Sequence, residues 1–247
     1  FKERLKNVPN ITGAYFETGK IGAEYFLKIG YKNFAFYGFK DIVWSRERAQ
    51  GFEEAVKKYD YEVHFFEHTK KVEQELWYYK PSPLSEWLKS LPKPIAIMAC
   101  DDNMGQQITE ACKLAGIRIP EELAVLGVDN DEMNCSISDP PLSSIGLDVE
   151  KGGYEAAALM DKLIQNKNYD WKDIVVQPTQ IIIRHSTDIY AANDTCVLLA
   201  LKFIHQNIHQ NLRVNDVLKK VQRYIQRGTK LVVTVYPDDQ LARLWKA

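Results

Sequence analysis

Three short stretches of this chain carry almost no polar side chain: Asn33–Tyr37 (NFAFY), Ile95–Cys100 (IAIMAC) and Leu123–Val128 (LAVLGV). A strand with one wet face alternates apolar and polar residues, whereas a continuous apolar run needs apolar neighbours on both faces. A parallel sheet covered by helices on each side meets that need, and the intervening segments supply the helices. Gly19–Gly30 (GKIGAEYFLKIG) places Ile21, Tyr25, Phe26 and Ile29 on one stripe and closes on a glycine. Arg46–Tyr59, Pro83–Leu91, Met104–Ala115 and Lys151–Gln165 read as further helices, and Glu62–Phe66, Ile174–Val176 and Gln180–Arg184 as further strands. Alternating strands and helices with right-handed crossovers predict a doubly wound α/β layer. The 247 residues, 45% of them hydrophobic, suffice for one sizeable core or two modest ones.

From Asp188 the character changes. Thr195–Gln210 predicts a Cys/Leu/Phe/Ile-striped helix, Val214–Val221 a short second one, and Lys230–Tyr236 a strand-like segment. The formal net charge of −1 gives no global field toward nucleic acid or an anionic membrane. Locally, the stretch from Lys219 onward holds seven Lys/Arg against two Asp. Cys100, Cys112, Cys135 and Cys196 are scattered, with no pair spaced to clip a metal, which predicts buried free thiols in a reducing cytosol. No signal peptide is expected from the opening residues, and no apolar run reaches bilayer length. It opens on Phe1, so N-terminal residues are expected to be missing.

Ligands on doubly wound sheets bind beyond the carboxyl ends of the strands. Two polar clusters fall there: Asp101-Asp102-Asn103 and Asp129-Asn130-Asp131. Polyol sugars are gripped by carboxylates and by the planar Arg fork, with aromatic rings covering their C–H faces. Glu17, Trp44, Arg48, Asp101 and Asp129 are the candidates for such a site. The competing reading for Asp101 and Asp129 is that they cap the segments that follow. Nothing calls for a metal or cofactor. His205 and His209 lie four apart without a third ligand, and Gly152-Gly153 lacks a phosphate-loop pattern. Nor does a catalytic constellation appear. There is no G-x-S-x-G elbow, Ser143-Ser144 follows Pro140-Pro141 in a turn, and the adjacent Asp101 and Asp102 point different ways.

Ile95–Ile145 holds, in order, a strand, a D-D-x-M-G turn, a helix, G-x-x-I-P-x-x-L-x-V-x-G-x-D-N and P-P-L-S-S-I. This string resembles the C-terminal lobe of the lac repressor/periplasmic sugar-binding family. Upstream, Ala23–Gly38 and the Arg-x-x-Gly of Arg48–Gly51 fit the same family. More narrowly, Phe34–Gly38 with Trp44 and Glu47-Arg48, and Ile181–Asp188 (IIIRHSTD), are similar to the bacterial xylose operon regulators. Ala200–Asn207 and Arg213–Val221 resemble the beginning of the arabinose-regulator-type helix-turn-helix domain that follows in those proteins. The Ser-Arg-Arg recognition helix due near Gln222 is absent.

The resemblance implies a sugar-sensing domain over residues 1–187 with its N-terminal part missing, the start of a DNA-binding domain over 188–221, and an atypical tail over 222–247. It implies that Arg48 bonds sugar hydroxyls, that Asp101 and Asp129 contact sugar oxygens, that Trp44 lies near the cleft, and that Glu17 faces the sugar. Relatives carry an Asp-Asn pair where this chain has Ala14-Tyr15. The implied function is a cytoplasmic, homodimeric, non-enzymatic regulator binding a pentose, D-xylose, and operator DNA, with Gly19–Ile29 and Glu47–Tyr59 as candidate dimer helices. With further residues preceding Phe1 in relatives, weak or absent sugar binding by this chain and no operator-specific DNA binding are expected. The alternative on the same fold is a periplasmic sugar-binding transport protein; the segment after Asp188 favours regulation.

Overall fold

The computed structural model describes residues 5, 7–68, 81–166, 170–188, 195–207 and 212–225. The chain divides into two compact units, 1–191 and 192–247. In the first, β1 (Ile11–Gly13), α1 (Tyr15–Lys28), β2 (Phe34–Phe39), α2 (Val43–Lys57) and β3 (Val63–His68) come before α3 (Pro81–Ser90), β4 (Ile95–Ala99) and α4 (Asp102–Ala115). There follow β5 (Leu123–Asp129), α5 (Glu132–Ile137), β6 (Ser143–Leu147), α6 (Val149–Gln165), β7 (Ile174–Val176), β8 (Pro178–Ile182) and a 3-10 turn at His185–Thr187.

Six strands form one sheet in the order β3-β2-β4-β5-β6-β8. The first five are parallel, and β8 closes the edge antiparallel to β6. Strands β1 and β7 pair in a separate parallel ladder, Ile11 opposite Ile174. The fold is the doubly wound, mainly parallel α/β layer that the apolar runs indicated. Every residue of β2 and β4, and β5 as far as Val128, is buried. These central strands have helices on both faces, which is why polar side chains are excluded from them.

Helices α1 and α2 pack together with their backbones in near contact. Beneath them, Phe52 meets Phe26, Phe34 and Phe36 with ring centroids 6.4, 6.3 and 6.1 Å away, in the edge-on and tilted geometries aromatic quadrupoles favour. All four cysteines are buried free thiols.

Several elements depart from the sequence reading, the unanticipated β1 among them. Helix α1 starts at Tyr15, before Gly19, its first turn held where the Thr18 N–H and hydroxyl both donate to the Ala14 carbonyl. Strand β2 passes through Gly38 to Phe39, whose N–H donates to Ser45 Oγ at 2.8 Å. Helix α5 was not anticipated. The Ser143-Ser144 pair, read as part of a turn, lies in the buried strand β6. Hydrophobicity patterns miss such a strand because its polar side chains are satisfied inside: Ser143 Oγ donates to the Arg184 carbonyl and Ser144 Oγ to Asp102.

In the second unit α7 (Thr195–Gln206) and α8 (Val214–Ile225) pack together, with Cys196 and Val221 buried. The strand-like Lys230–Tyr236, the His205 side chain and His209 lie outside the described residues. Among the described residues, no helix is long and apolar enough to cross a membrane.

Candidate functional site

The strand order reverses between β2 and β4: β3 lies on one side of β2 and β4 on the other. Such a switch point opens a crevice at the carboxyl ends of the strands. Helix α2 leaves β2 there and carries Arg48, which is only 3% exposed. One terminal nitrogen of its guanidinium donates to the Cys100 carbonyl at the end of β4. The other donates to Asp129 Oδ1 at the end of β5, 3.2 Å away. The ends of β4 and β5 are thus tied to α2 by one planar cation. Arg48 Nε is buried without an acceptor among the described residues, and an unpaired buried donor costs about 1–3 kcal/mol.

Two rings flank the guanidinium, Trp44 with its centroid 5.4 Å from Cζ and Tyr15 at 5.5 Å. Aromatic faces stabilise a cation in this way and hold its plane. Asp129 sits at φ 103° and Asn130 at φ 54°, both in the left-handed region that residues with a Cβ rarely adopt. Such strain persists only where surrounding bonds enforce it. The Asp129 carboxyl is held above the usual carboxylate range, mainly by desolvation, and the nearby Asp101 charge adds to this while Arg48 opposes it.

Arg48, Trp44 and Asp129 form one contiguous group, and Asp101 is close enough for its charge to act on Asp129. Asp101 also caps α4, its Oδ1 accepting the Met104 N–H at 2.8 Å. Replacing Asp101 with Ala is expected to destabilise the chain by about 1 kcal/mol, as N-cap losses do. An unchanged urea midpoint would refute that assignment. Glu17 stands apart: it accepts from Lys20 at 3.0 Å, and no bond among the described residues links it to Arg48 or Asp129. Tyr15 was missed as a candidate, although its replacement of a motif residue was visible. A cavity of about 400 Å³ between α6 and β7, lined by Tyr154, Leu159, Lys162, Asp173 and Val175, contains none of these residues. Among the described residues, no three His, Cys, Asp or Glu side chains gather in a form that could hold a metal ion.

Next to Asp101 lies Asp102, only 2% exposed. Desolvation pushes its carboxyl up to about 6, against hydrogen bonds from Ser144 and Asp131 that pull it down. A carboxyl raised in the fold favours the protonated native state. Between the unfolded value near 4 and the native value near 6, its contribution to stability therefore falls as pH rises. Two units correspond to about 3 kcal/mol, and the raised Asp129 acts in the same direction. Urea unfolding is expected to show greater stability at pH 5 than at pH 7, with much of the difference lost in Asp102→Asn. A parent and variant with the same pH dependence would contradict this.

Comparison with known proteins agrees with the architecture. Residues 23–187 match the family described as a periplasmic binding protein-like domain. The xylose operon regulatory protein of Haemophilus influenzae is 30% identical over 225 residues, covering 87% of this chain and 58% of the relative. A match of that extent cannot fit within residues 1–191 and so reaches the second unit. The chain spans less than two thirds of that relative. Among solved structures, a xylose-binding transcription activator superposes with a TM-score of 0.69 at 24% identity, covering 98% of this chain and 61% of its own. A periplasmic binding protein/LacI transcriptional regulator from Alkaliphilus metalliredigens, complexed with D-xylulofuranose, gives 0.64 at 21% identity, covering 76% and 69%.

Proposed function

Because the chain belongs to the periplasmic binding protein-like domain family, we propose that residues 1–187 are the sugar-sensing part of a bacterial transcription regulator and that the ligand is a pentose, D-xylose. The observation that carries this reading is the buried Arg48 fork, held within cation–π distance of Tyr15 and Trp44 and joined to the half-exposed Asp129. A neutral polyol needs this combination. The guanidinium donates, the carboxylate accepts from paired hydroxyls, and the indole presents an apolar face. Asp101 and Glu17 belong at the margin of the site. The names of the relatives support binding over catalysis, and none of the site residues is arranged as a nucleophile with a base.

Residues 188–221 begin an arabinose-regulator-type DNA-binding domain, and the protein acts as a cytoplasmic homodimer. Sugar bound at the strand ends favours one arrangement of the protein over another. Whatever that preference does to DNA affinity, DNA must do in return to sugar affinity. The test is amide chemical-shift perturbation of the chain on titration with D-xylose, L-arabinose and D-ribose. Weak binding is expected, with Kd on the order of 1 mM or about −4 kcal/mol, strongest for D-xylose and centred on Arg48 and Asp129. Absence of any response around these residues, or chemical alteration of a pentose, would reject the reading.

A further inference from the structure

Asp102 takes no place among the sugar-contact candidates, yet it is a buried carboxylate at the first residue of α4 and its bonding is specific. Its Oδ2 accepts the Asp131 N–H at 2.7 Å and the Cys135 thiol at 3.5 Å. Its Oδ1 accepts the Ser144 hydroxyl at 2.6 Å, and Ser144 Oγ in turn accepts the Asn130 N–H at 3.0 Å. Two consecutive backbone amides therefore end on one carboxylate, the first through a serine. These amides follow directly on Asp129, and Asp129 and Asn130 are both in the left-handed region. From the other side Arg184 donates to Asn130 Oδ1 at 2.9 Å. Gly127 leaves room for the arrangement, since a Cβ there would collide with Asp102 Oδ1.

We propose that Asp102 is a positioning residue: its carboxylate fixes the strained Asp129–Asp131 turn and so presents Asp129 to Arg48 and to the sugar. The sugar part rests on the function proposed above; the positioning part does not. The ionised form is the competent one. A proton on Oδ1 would reverse the bond to Ser144 Oγ, leaving the Ser144 hydroxyl hydrogen without its acceptor and removing the negative charge on which both amide links end. An Asn in this position would offer one acceptor oxygen and an NH2 group to the three donors that now meet the carboxylate. Because burial raises the carboxyl toward neutrality, the competent form exists at some expense in stability, as is common where geometry serves function. The titratable and charged groups around it are Asp101 on its own turn, Asp129 and Asp131 on the β5–α5 turn, Cys135 on α5, and Arg48 and Arg184 beyond them.

The test follows the Asn130 and Asp131 amide resonances of the whole chain from pH 4.5 to 7.5. Both are expected to shift together with a midpoint near 6. Asp102→Asn should abolish the transition at both, and Ser144→Ala at Asn130 only. Amides insensitive to pH, or titrating unchanged in Asp102→Asn, would overturn the positioning role. In a parallel arm with D-xylose, Asp102→Asn should weaken binding about tenfold, the equivalent of one charged hydrogen bond. Unchanged sugar affinity in that variant would overturn the link to the ligand. A parent that answers no pentose removes the sugar reading, while the amide titration still decides whether Asp102 holds the turn.

Discussion

Gly51→Ala is expected to lower the stability of the first unit by about 3 kcal/mol or more, beyond the usual range for one added methyl group. The reason is where that methyl would go. A Cβ on Gly51 would overlap the Phe16 carbonyl oxygen and lie 2.8 Å from its carbonyl carbon. The contact is reciprocal, for a Cβ on Gly19 would lie 2.8 Å from the Arg48 carbonyl carbon. Backbone cannot rotate away as a side chain can, so α1 and α2 must separate. Phe52 and Phe26, packed between the helices and the sheet, would lose contact in turn. At about 2–4 °C per kcal/mol for a unit of this size, the melting temperature should fall by about 10 °C. Gly153, on α6, is the control. Nothing lies within 4 Å of its would-be Cβ, and Gly153→Ala should be neutral or stabilising by about 0.5 kcal/mol. A Gly51→Ala protein melting with the parent would show that the helices do not approach this closely.

The second large effect is expected at Arg48. Arg48→Ala removes the donor to the Cys100 carbonyl and the partner of Asp129, and leaves space between Tyr15 and Trp44. Breaking a fully buried pair costs about 3–5 kcal/mol. Asp129 is 48% exposed here and water can take over part of its solvation, so about 2–4 kcal/mol is expected. Pentose binding should fall more than a hundredfold, about 2.7 kcal/mol. Arg48→Lys separates charge from shape. An ammonium retains the attraction to Asp129 but lacks the planar fork that joins it to Cys100 while stacking on two rings. It should recover much of the stability and little of the binding. Full recovery of binding by Lys would show that a point charge is sufficient and that the fork plays no part.

These two residues also show how much of the molecule could be read before its fold was known. Arg48 and Gly51 stand together as Arg-x-x-Gly, and their spacing on one helix was visible. That the glycine admits a second helix and the arginine reaches two strand ends was not. Candidates such as Glu17 and Asp101 had the right chemistry at plausible positions. In the structure Glu17 also accepts from Lys20, and one oxygen of Asp101 caps α4. Asp102, beside Asp101 in sequence and of the same residue type, turns inward and gathers Ser144, Asp131 and Cys135 from three other places in the chain.

Local chemistry in the linear chain determined the sheet and its helices, because an all-apolar run can be satisfied only between two covered faces and a striped segment only as a helix against them. It also marked which strand ends carry acid and base. The tertiary structure alone decided which of those groups meet. Contact across a switch point joins residues more than eighty positions apart, such as Arg48 and Asp129 at 3.2 Å, and no local periodicity encodes that distance. It decided as well that the serines of β6 would be buried, since a hydroxyl can leave water only when a partner waits inside, and the partner comes from elsewhere in the chain.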